Sequence, residues 1–407
     1  MKHITLLIAS LLLTAGMHAQ EAIDHILQQI EMNNRQLQAN TQQTRSQQLE
    51  NKASNNLPNP SLSYSHLWDS DDKNIIVGEL VISQSFDFPS LYATRNRVNR
   101  LKNAALDAQA NALRQDILLQ AKEVCLDIIQ LHGQQQLLDE RLRNAEELAQ
   151  MYAERLRTGD ANALETNKIN LELLNVRTES RLNATALQAK LKELTVLNGN
   201  QPLAPGRPQP EPATAGPAAL GLTTYTPIAL PADFASLLDQ LLAADPTLKA
   251  LQGESEAARK QISASRQGWL PNLEVGYRRN TETRHPLNGI VVGFSFPIFE
   301  NRHKVKAAKS LALSTDYLQE NARMQASSAL WQLYEEASQL QQSIQEYQDT
   351  FARQRDLALL RKALEGGEIS MIEYFVEVSV VYQSKANLLQ LENQYQKAMA
   401  RIYKSQL

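Results

Sequence analysis

The chain has 407 residues, with 41 Lys and Arg against 44 Asp and Glu, a formal net charge of -3, 43% hydrophobic residues and a single Cys. This composition excludes a disulfide scaffold, a collagen-like fibre and a strongly basic nucleic-acid binder. It supplies enough apolar residues for a sizeable core, and the length suggests two domains or two repeats.

Lys2 and His3 precede an apolar run from Ile4 to Leu13 and small residues at Ala15, Gly16 and Ala19. This reads as a secretory signal peptide over 1–19. The apolar run is too short for a helix that crosses a bilayer core of roughly 30 Å. No Cys lies near the expected cleavage point, which argues against a lipoprotein anchor. No later stretch is an 18-residue apolar span, so entry into a membrane would have to be by strands.

From Glu21 to about Ser54, Ile23, Ile26, Leu27, Ile30 and Leu37 recur at helical spacing, until Pro58 and Pro60 end the pattern. Period two then takes over. Leu62, Tyr64 and Trp68 alternate with Ser61, Ser63 and Ser65, and beyond the turn-like segment 69–73, Ile76, Leu80, Ile82, Phe86 and Phe88 alternate with Glu79, Ser83, Ser85 and Asp87. The spacing predicts two strands. No proline occurs between Pro89 and Pro202, and from Tyr92 to Arg157 the apolar residues step by three, four or seven, as along a coiled-coil seam. A helix of that length spans on the order of 100 Å. Gly159 turns the chain into a second helix over about 161–197, after which eight prolines between Asn198 and Pro231 mark an extended, polyproline-like linker.

The pattern then repeats. Leu57-Pro58-Asn59 recurs as Leu270-Pro271-Asn272, Phe86-Asp87-Phe88-Pro89 as Phe294-Ser295-Phe296-Pro297, and Thr158-Gly159-Asp160 through Glu165 as Gly366-Gly367-Glu368 through Glu373. The second strand pair sets Leu273, Val275 and Tyr277, then Ile290, Val292, Phe294 and Phe296, against Glu274, Gly276, Arg278, Gly293 and Ser295. A long helix from about Val305 to Glu365 and a return helix from Ile369 to Tyr403 follow. The expected organisation is a signal peptide over 1–19, a first repeat over 20–198 (strands 61–88, helical hairpin 92–198), a linker over 199–232, and a second repeat over 233–407 (strands 271–298, hairpin 301–404). The fold class is mainly α with a membrane β-barrel, built from a duplicated helix-strand-strand-helix-helix unit.

Four strands with one apolar face cannot close, since small membrane barrels begin at about eight strands and open edges in lipid leave backbone groups unsatisfied. Three chains would supply an even twelve strands, a barrel with Glu79, Asp87, Glu274 and Arg278 facing a polar lumen. A homotrimer follows from edges and counting.

The duplicated Leu-Pro-Asn strand openings, the Phe-x-Phe-Pro strand ends and the turn Arg155-Leu-Arg-Thr-Gly159 with Leu164-Glu165 together resemble the TolC-like outer-membrane efflux proteins. Among these the chain looks nearest to the outer-membrane subunits of cobalt-zinc-cadmium type heavy-metal exporters. The resemblance implies a trimeric duct with a twelve-stranded barrel in the outer membrane and a helical barrel in the periplasm. Its tip would dock a periplasmic adaptor, the membrane fusion protein, that joins it to an inner-membrane RND-type pump. It also implies gate carboxylates at Glu165 and Glu373, and adaptor-contacting turns at Gly159, Asp160, Gly366, Gly367 and Glu368, with Asp160 and Glu368 equally placed to cap the helices. Lys168 and Val376 stand where the family often places a second acid.

For chemistry the sequence offers little. His25, His66, His132, His285 and His303 are scattered without ligand spacing, Cys125 sits alone on a long helix, and no phosphate loop or nucleophile-base set occurs. The reading is a conduit that is not an enzyme and needs no cofactor, binds no nucleic acid and touches outer-membrane lipid. The alternatives are the outer-membrane component of a type I protein secretion system and a periplasmic coiled-coil scaffold.

Overall fold

The computed structural model describes residues 21–68, 70–71, 76–159, 163–204, 216–281, 285–353 and 357–407. The expected signal peptide and Asp160 lie outside these. Helix α1 covers 21–33, followed by α2 (Arg35–Ala53), β1 (Ser61–Trp68), β2 (Ile76–Phe86), α3 (Pro89–Thr158) and α4 (Ala163–Leu197). The second half holds α5 (Phe234–Ala244), α6 (Pro246–Gln267), β3 (Asn272–Thr281), β4 (Leu287–Ser295), α7 (Lys304–Arg353), α8 (Leu357–Glu365) and α9 (Met371–Ile402).

The single helix expected from Glu21 to about Ser54 is two. Buried Asn34 interrupts it, its Oδ1 accepting the Leu37 N–H at 3.0 Å while its amide donates to the Leu197 carbonyl at 2.8 Å. The second half breaks in the same way at Asp245, whose carboxylate accepts the N–H groups of Thr247 and Leu248, with Pro246 at the first helical position. The duplication therefore extends to a paired helix break that spacing alone did not reveal.

The chain divides into two compact units that cut across the sequence repeats. One gathers Met1–Gln38, Leu113–Leu241 and Ser327–Leu407; the other gathers Ala39–Ala112 and Leu242–Ala326.

The second of these contains the sheet, antiparallel and ordered β1-β2-β3-β4. Its helical segments are joined by polar ties as much as by apolar packing. Asn51 meets Asn103 at 2.8 Å, Gln48 meets Asp107 at 2.7 Å, and Asp316 takes both Ser255 at 2.5 Å and Arg259 at 3.0 Å.

The first unit is a helix assembly with three apolar clusters. The largest packs Ile26 and Ile30 of α1 against Ile117, Ala121, Cys125 and Ile128 of α3, Leu194 of α4, and Leu203, Leu220 and Leu222 of the linker. Cys125 is fully buried, and burial pushes its thiol up to about 12, which leaves it inert as a nucleophile. The described linker residues lie in no helix or strand and include turns at 199–200 and 217–221. They are pinned by their backbone: Tyr334, Tyr395 and Gln396 donate to the carbonyls of Pro231, Ile228 and Thr226.

An ionic node crosses this unit. Asp127 of α3 takes Lys397 at 2.5 Å and Asn393 at 2.9 Å from α9, and Lys190 at 3.3 Å from α4. Desolvation would raise the Asp127 carboxyl, but hydrogen bonds from Lys397 and Asn393, with the charges of both lysines, hold it below its usual range. A carboxyl so depressed adds stability above the ordinary carboxylate pKa and loses it as pH falls through the lowered value. Asp127→Asn should therefore lower unfolding stability by about 1–3 kcal/mol at neutral pH, measured by denaturant titration, with the difference from the parent shrinking on acidification.

Candidate functional site

The sheet separates two chemistries through its register. Leu62, Ile82, Tyr277 and Ile290 form one cross-strand row, and Phe86, Leu273 and Phe294 another, all on one face. Ile290 is 81% exposed and Leu62 70%, so this apolar face has no partner among the described residues. The opposite face carries Ser61, Ser83, Gly276 and Val291 in one row and Glu274 beside Gly293 in another. On that face Arg278 pairs with Glu79 at 2.7 Å and the Ser61 and Ser83 hydroxyls meet at 2.8 Å. A Cβ on Gly276 would lie 2.7 Å from the Ile82 carbonyl oxygen, so the close approach there requires glycine.

Glu79, Glu274 and Arg278 thus share the polar face. Asp87 does not lie in a strand: β2 ends at Phe86, and Asp87 occupies the corner into α3, bound to Arg95 at 2.5 Å.

The two hairpin turns are built differently. Gly159 follows α3 with φ +84°, and Glu165 lies in the first turn of α4, where its charge acts on the Tyr152 phenol. In the second turn α8 ends in a Schellman motif: the Glu368 N–H reaches the Ala363 carbonyl at 2.8 Å and the Gly367 N–H that of Leu364 at 3.2 Å, with Gly367 at φ +72°. Helix α9 then opens with a capping box. The Ser370 hydroxyl accepts the Glu373 N–H at 3.2 Å and the Glu373 carboxylate accepts the Ser370 N–H at 2.8 Å. These bonds from Ser370 hold the exposed Glu373 carboxyl below its ordinary value. Lys168 and Val376 are both exposed.

Behind the turns, side chains that spacing arguments passed over join the hairpins. Fully buried Tyr374 exchanges a hydrogen bond with Asn144 at 3.1 Å, Arg361 reaches Glu147 at 2.5 Å, and Arg141 bridges Glu172 and Glu179. Met371, Tyr374, Val378 and Tyr382 face inward on α9, whereas Ile372, Val376 and Val380 are exposed. On α4, Leu164, Leu171, Leu174 and Leu182 are exposed as well. Among the described residues no group of three or more His, Cys, Asp or Glu could hold a metal, and no helix is long and apolar enough to cross a membrane.

Comparison with solved structures accounts for this arrangement. A membrane protein from Pseudomonas aeruginosa superposes with a TM-score of 0.76 at 15% identity, covering 94% of this chain and 93% of its own. The open-state outer membrane channel MtrE of Neisseria gonorrhoeae gives 0.74 at 15% identity, covering 95% and 88%. The outer membrane protein VceC of Vibrio cholerae gives 0.72 at 14% identity, covering 94% and 95%. The chain has the outer-membrane efflux channel fold. At the sequence level the family described as outer membrane efflux protein matches residues 237–405, which fall in the second half alone. No curated protein matches the chain. The fold thus spans both halves while the recognisable family sequence is confined to one.

The turn glycines differ in what surrounds them. A Cβ at Gly367 meets nothing within 4 Å, whereas at Gly199, with φ +66°, it would lie 2.4 Å from the Asn33 carbonyl oxygen. Gly367→Ala should cost about 1 kcal/mol, the strain of the left-handed backbone alone, and Gly199→Ala distinctly more; paired thermal denaturation of the two variants tests the ranking.

Proposed function

We propose that the chain is one of three subunits of a passive outer-membrane exit duct in a tripartite efflux system. The duct conducts small substrates, heavy-metal cations or drugs, received from an inner-membrane RND-type pump through a periplasmic adaptor. The observation that carries this reading is the two-faced four-stranded sheet, whose outer strands β1 and β4 each pair on one side only. Three copies close those edges into twelve strands, turn the apolar rows to lipid and enclose Glu79, Glu274 and Arg278 in a polar lumen. The exposed apolar positions of α4 and α9 supply seams for neighbouring copies. The fold shared with outer-membrane channels and the family match over 237–405 support the same conclusion.

In this assembly Glu165 and Glu373 stand at the entrance as a ring of about six carboxylates that attracts cations and biases the tip. Gly159, Asp160, Gly366, Gly367 and Glu368 form the turns that the adaptor grips, and the 1–19 segment directs export.

Detergent-corrected light scattering on extracted outer membranes should return a mass of three chains; a monomer would overturn the proposal. Ile290→Arg, on the apolar face, should cost roughly 2–4 kcal/mol per copy and deplete the protein from the outer membrane, while Val291→Ser on the polar face should be tolerated. Replacing Glu165 and Glu373 together with Ala should raise single-channel conductance in planar bilayers, and an unchanged conductance would remove the gating role.

A further inference from the structure

A cleft of about 530 Å³ opens in the helical unit between the middle of α3, the linker segment 223–228, α7 and α9. Its volume lies within the range of roughly 300–1,000 Å³ typical of small-molecule sites. Gly133 of α3 contributes no side chain to it, and a Cβ there would stand 3.2 Å from Leu389. Among the described residues the lining contains no Lys or Arg, and its one formally charged side chain is Glu392. The rest of its polar surface is largely carboxamide, from Gln136, Gln341, Gln345, Gln348 and Gln396.

Several donors of that lining are already committed to partners within the protein. Gln345 gives its amide to Asp349 at 2.9 Å and Gln396 gives its own to the Thr226 carbonyl at 2.9 Å. Gln136 is engaged by His132 at 3.1 Å, and the Tyr395 and Tyr225 hydroxyls donate to the backbone carbonyls of Ile228 and Leu126. Each of these carboxamides keeps its oxygen as an acceptor beside its second N–H, and the Glu392 carboxylate adds to that acceptor capacity. A cavity rich in acceptors and poor in committed positive charge favours a ligand that brings several N–H donors with its own cationic charge.

We propose that this cleft binds a small organic cation, a primary ammonium or guanidinium compound, with Glu392 as its counter-ion and the glutamine carbonyls as acceptors for the remaining N–H groups. The state of Glu392 agrees with that role. Desolvation pushes its carboxyl above the ordinary carboxylate range, against a hydrogen bond from Gln348. A carboxyl raised in this way weakens the fold as pH climbs through its pKa, and an incoming cation removes that penalty. A bound cation would also tie the linker segment to α3, α7 and α9, so that occupancy is read as stability as well as heat.

The test is isothermal titration calorimetry of the purified full-length protein in detergent with agmatine, which carries a guanidinium and an ammonium group. Saturable binding is expected, with affinity at least about tenfold weaker in Glu392→Gln and unchanged in Glu377→Gln, an exposed acid outside the cleft. The ligand-free Glu392→Gln protein should melt at or above the parent temperature, since the substitution removes a desolvated charge, and only the parent and Glu377→Gln should gain thermal stability from agmatine. Absence of saturable binding to the parent, equal binding to Glu392→Gln, or loss of binding in Glu377→Gln to the same extent would each overturn the proposal.

Discussion

A β-sheet must satisfy two requirements at once: its apolar face needs an apolar neighbour, and its edge strands need partners for their backbone groups. Among the described residues the four strands meet neither, because Leu62, Ile82, Tyr277 and Ile290 form an uncovered row and β1 and β4 each pair on one side only. Several other features follow the same logic. α9 buries Tyr374, Val378 and Tyr382 while exposing Ile372, Val376 and Val380, so it too is apolar on more sides than one chain covers. In the proposed assembly the chain is one part of a larger closed object, and the solved structures that share its fold match it along nearly their whole length.

The helical unit is specified by polar contacts as well as by packing. Asp127, with lysines from two other helices, joins α3, α4 and α9 at one point, and Tyr374 with Asn144 fixes the register of α9 against α3 nearer the turns. Such contacts add little net energy relative to apolar substitutes, but they penalise any slip along helices whose glutamine-rich surfaces would otherwise slide. At the second turn the economy is similar. Glu373 closes a helix start through its bond to Ser370, so the carboxylate proposed as a gate also has local structural work in holding that end of α9.

Much of the architecture was legible in the amino-acid order because it is periodic. Alternation placed all four strands and paired their apolar rows on one face, though Asp87, Phe88 and Phe296 fall beyond the strand ends, and proline-free stretches marked α3 and α4. Features that depend on a single residue were harder. Asn34 splits the first helix through a buried side chain, and asparagine inside a helical pattern carries no strong signal. Asp87 continues the alternation of β2 on paper, yet the strand stops one residue earlier because Asp87 turns to Arg95. The capping box is written in Ser370-Met371-Ile372-Glu373, the spacing of a serine N-cap with a glutamate three residues on. The cleft around Glu392 had no local signature at all. Its walls come from four segments far apart in the chain, and only the fold brings their carboxamides together.

The linker carries one more implication. Proline supplies a carbonyl without an N–H, so a proline-rich strap offers more acceptors than it can use, and the helices meet it with Tyr334, Tyr395 and Gln396, which grip Pro231, Ile228 and Thr226 by their main-chain oxygens. Hydrogen bonds to main-chain oxygens place few demands on side chains, so strap positions outside the apolar clusters are free to drift between lineages so long as the carbonyls keep their stations, whereas Leu203, Leu220 and Leu222 are held by core packing as well.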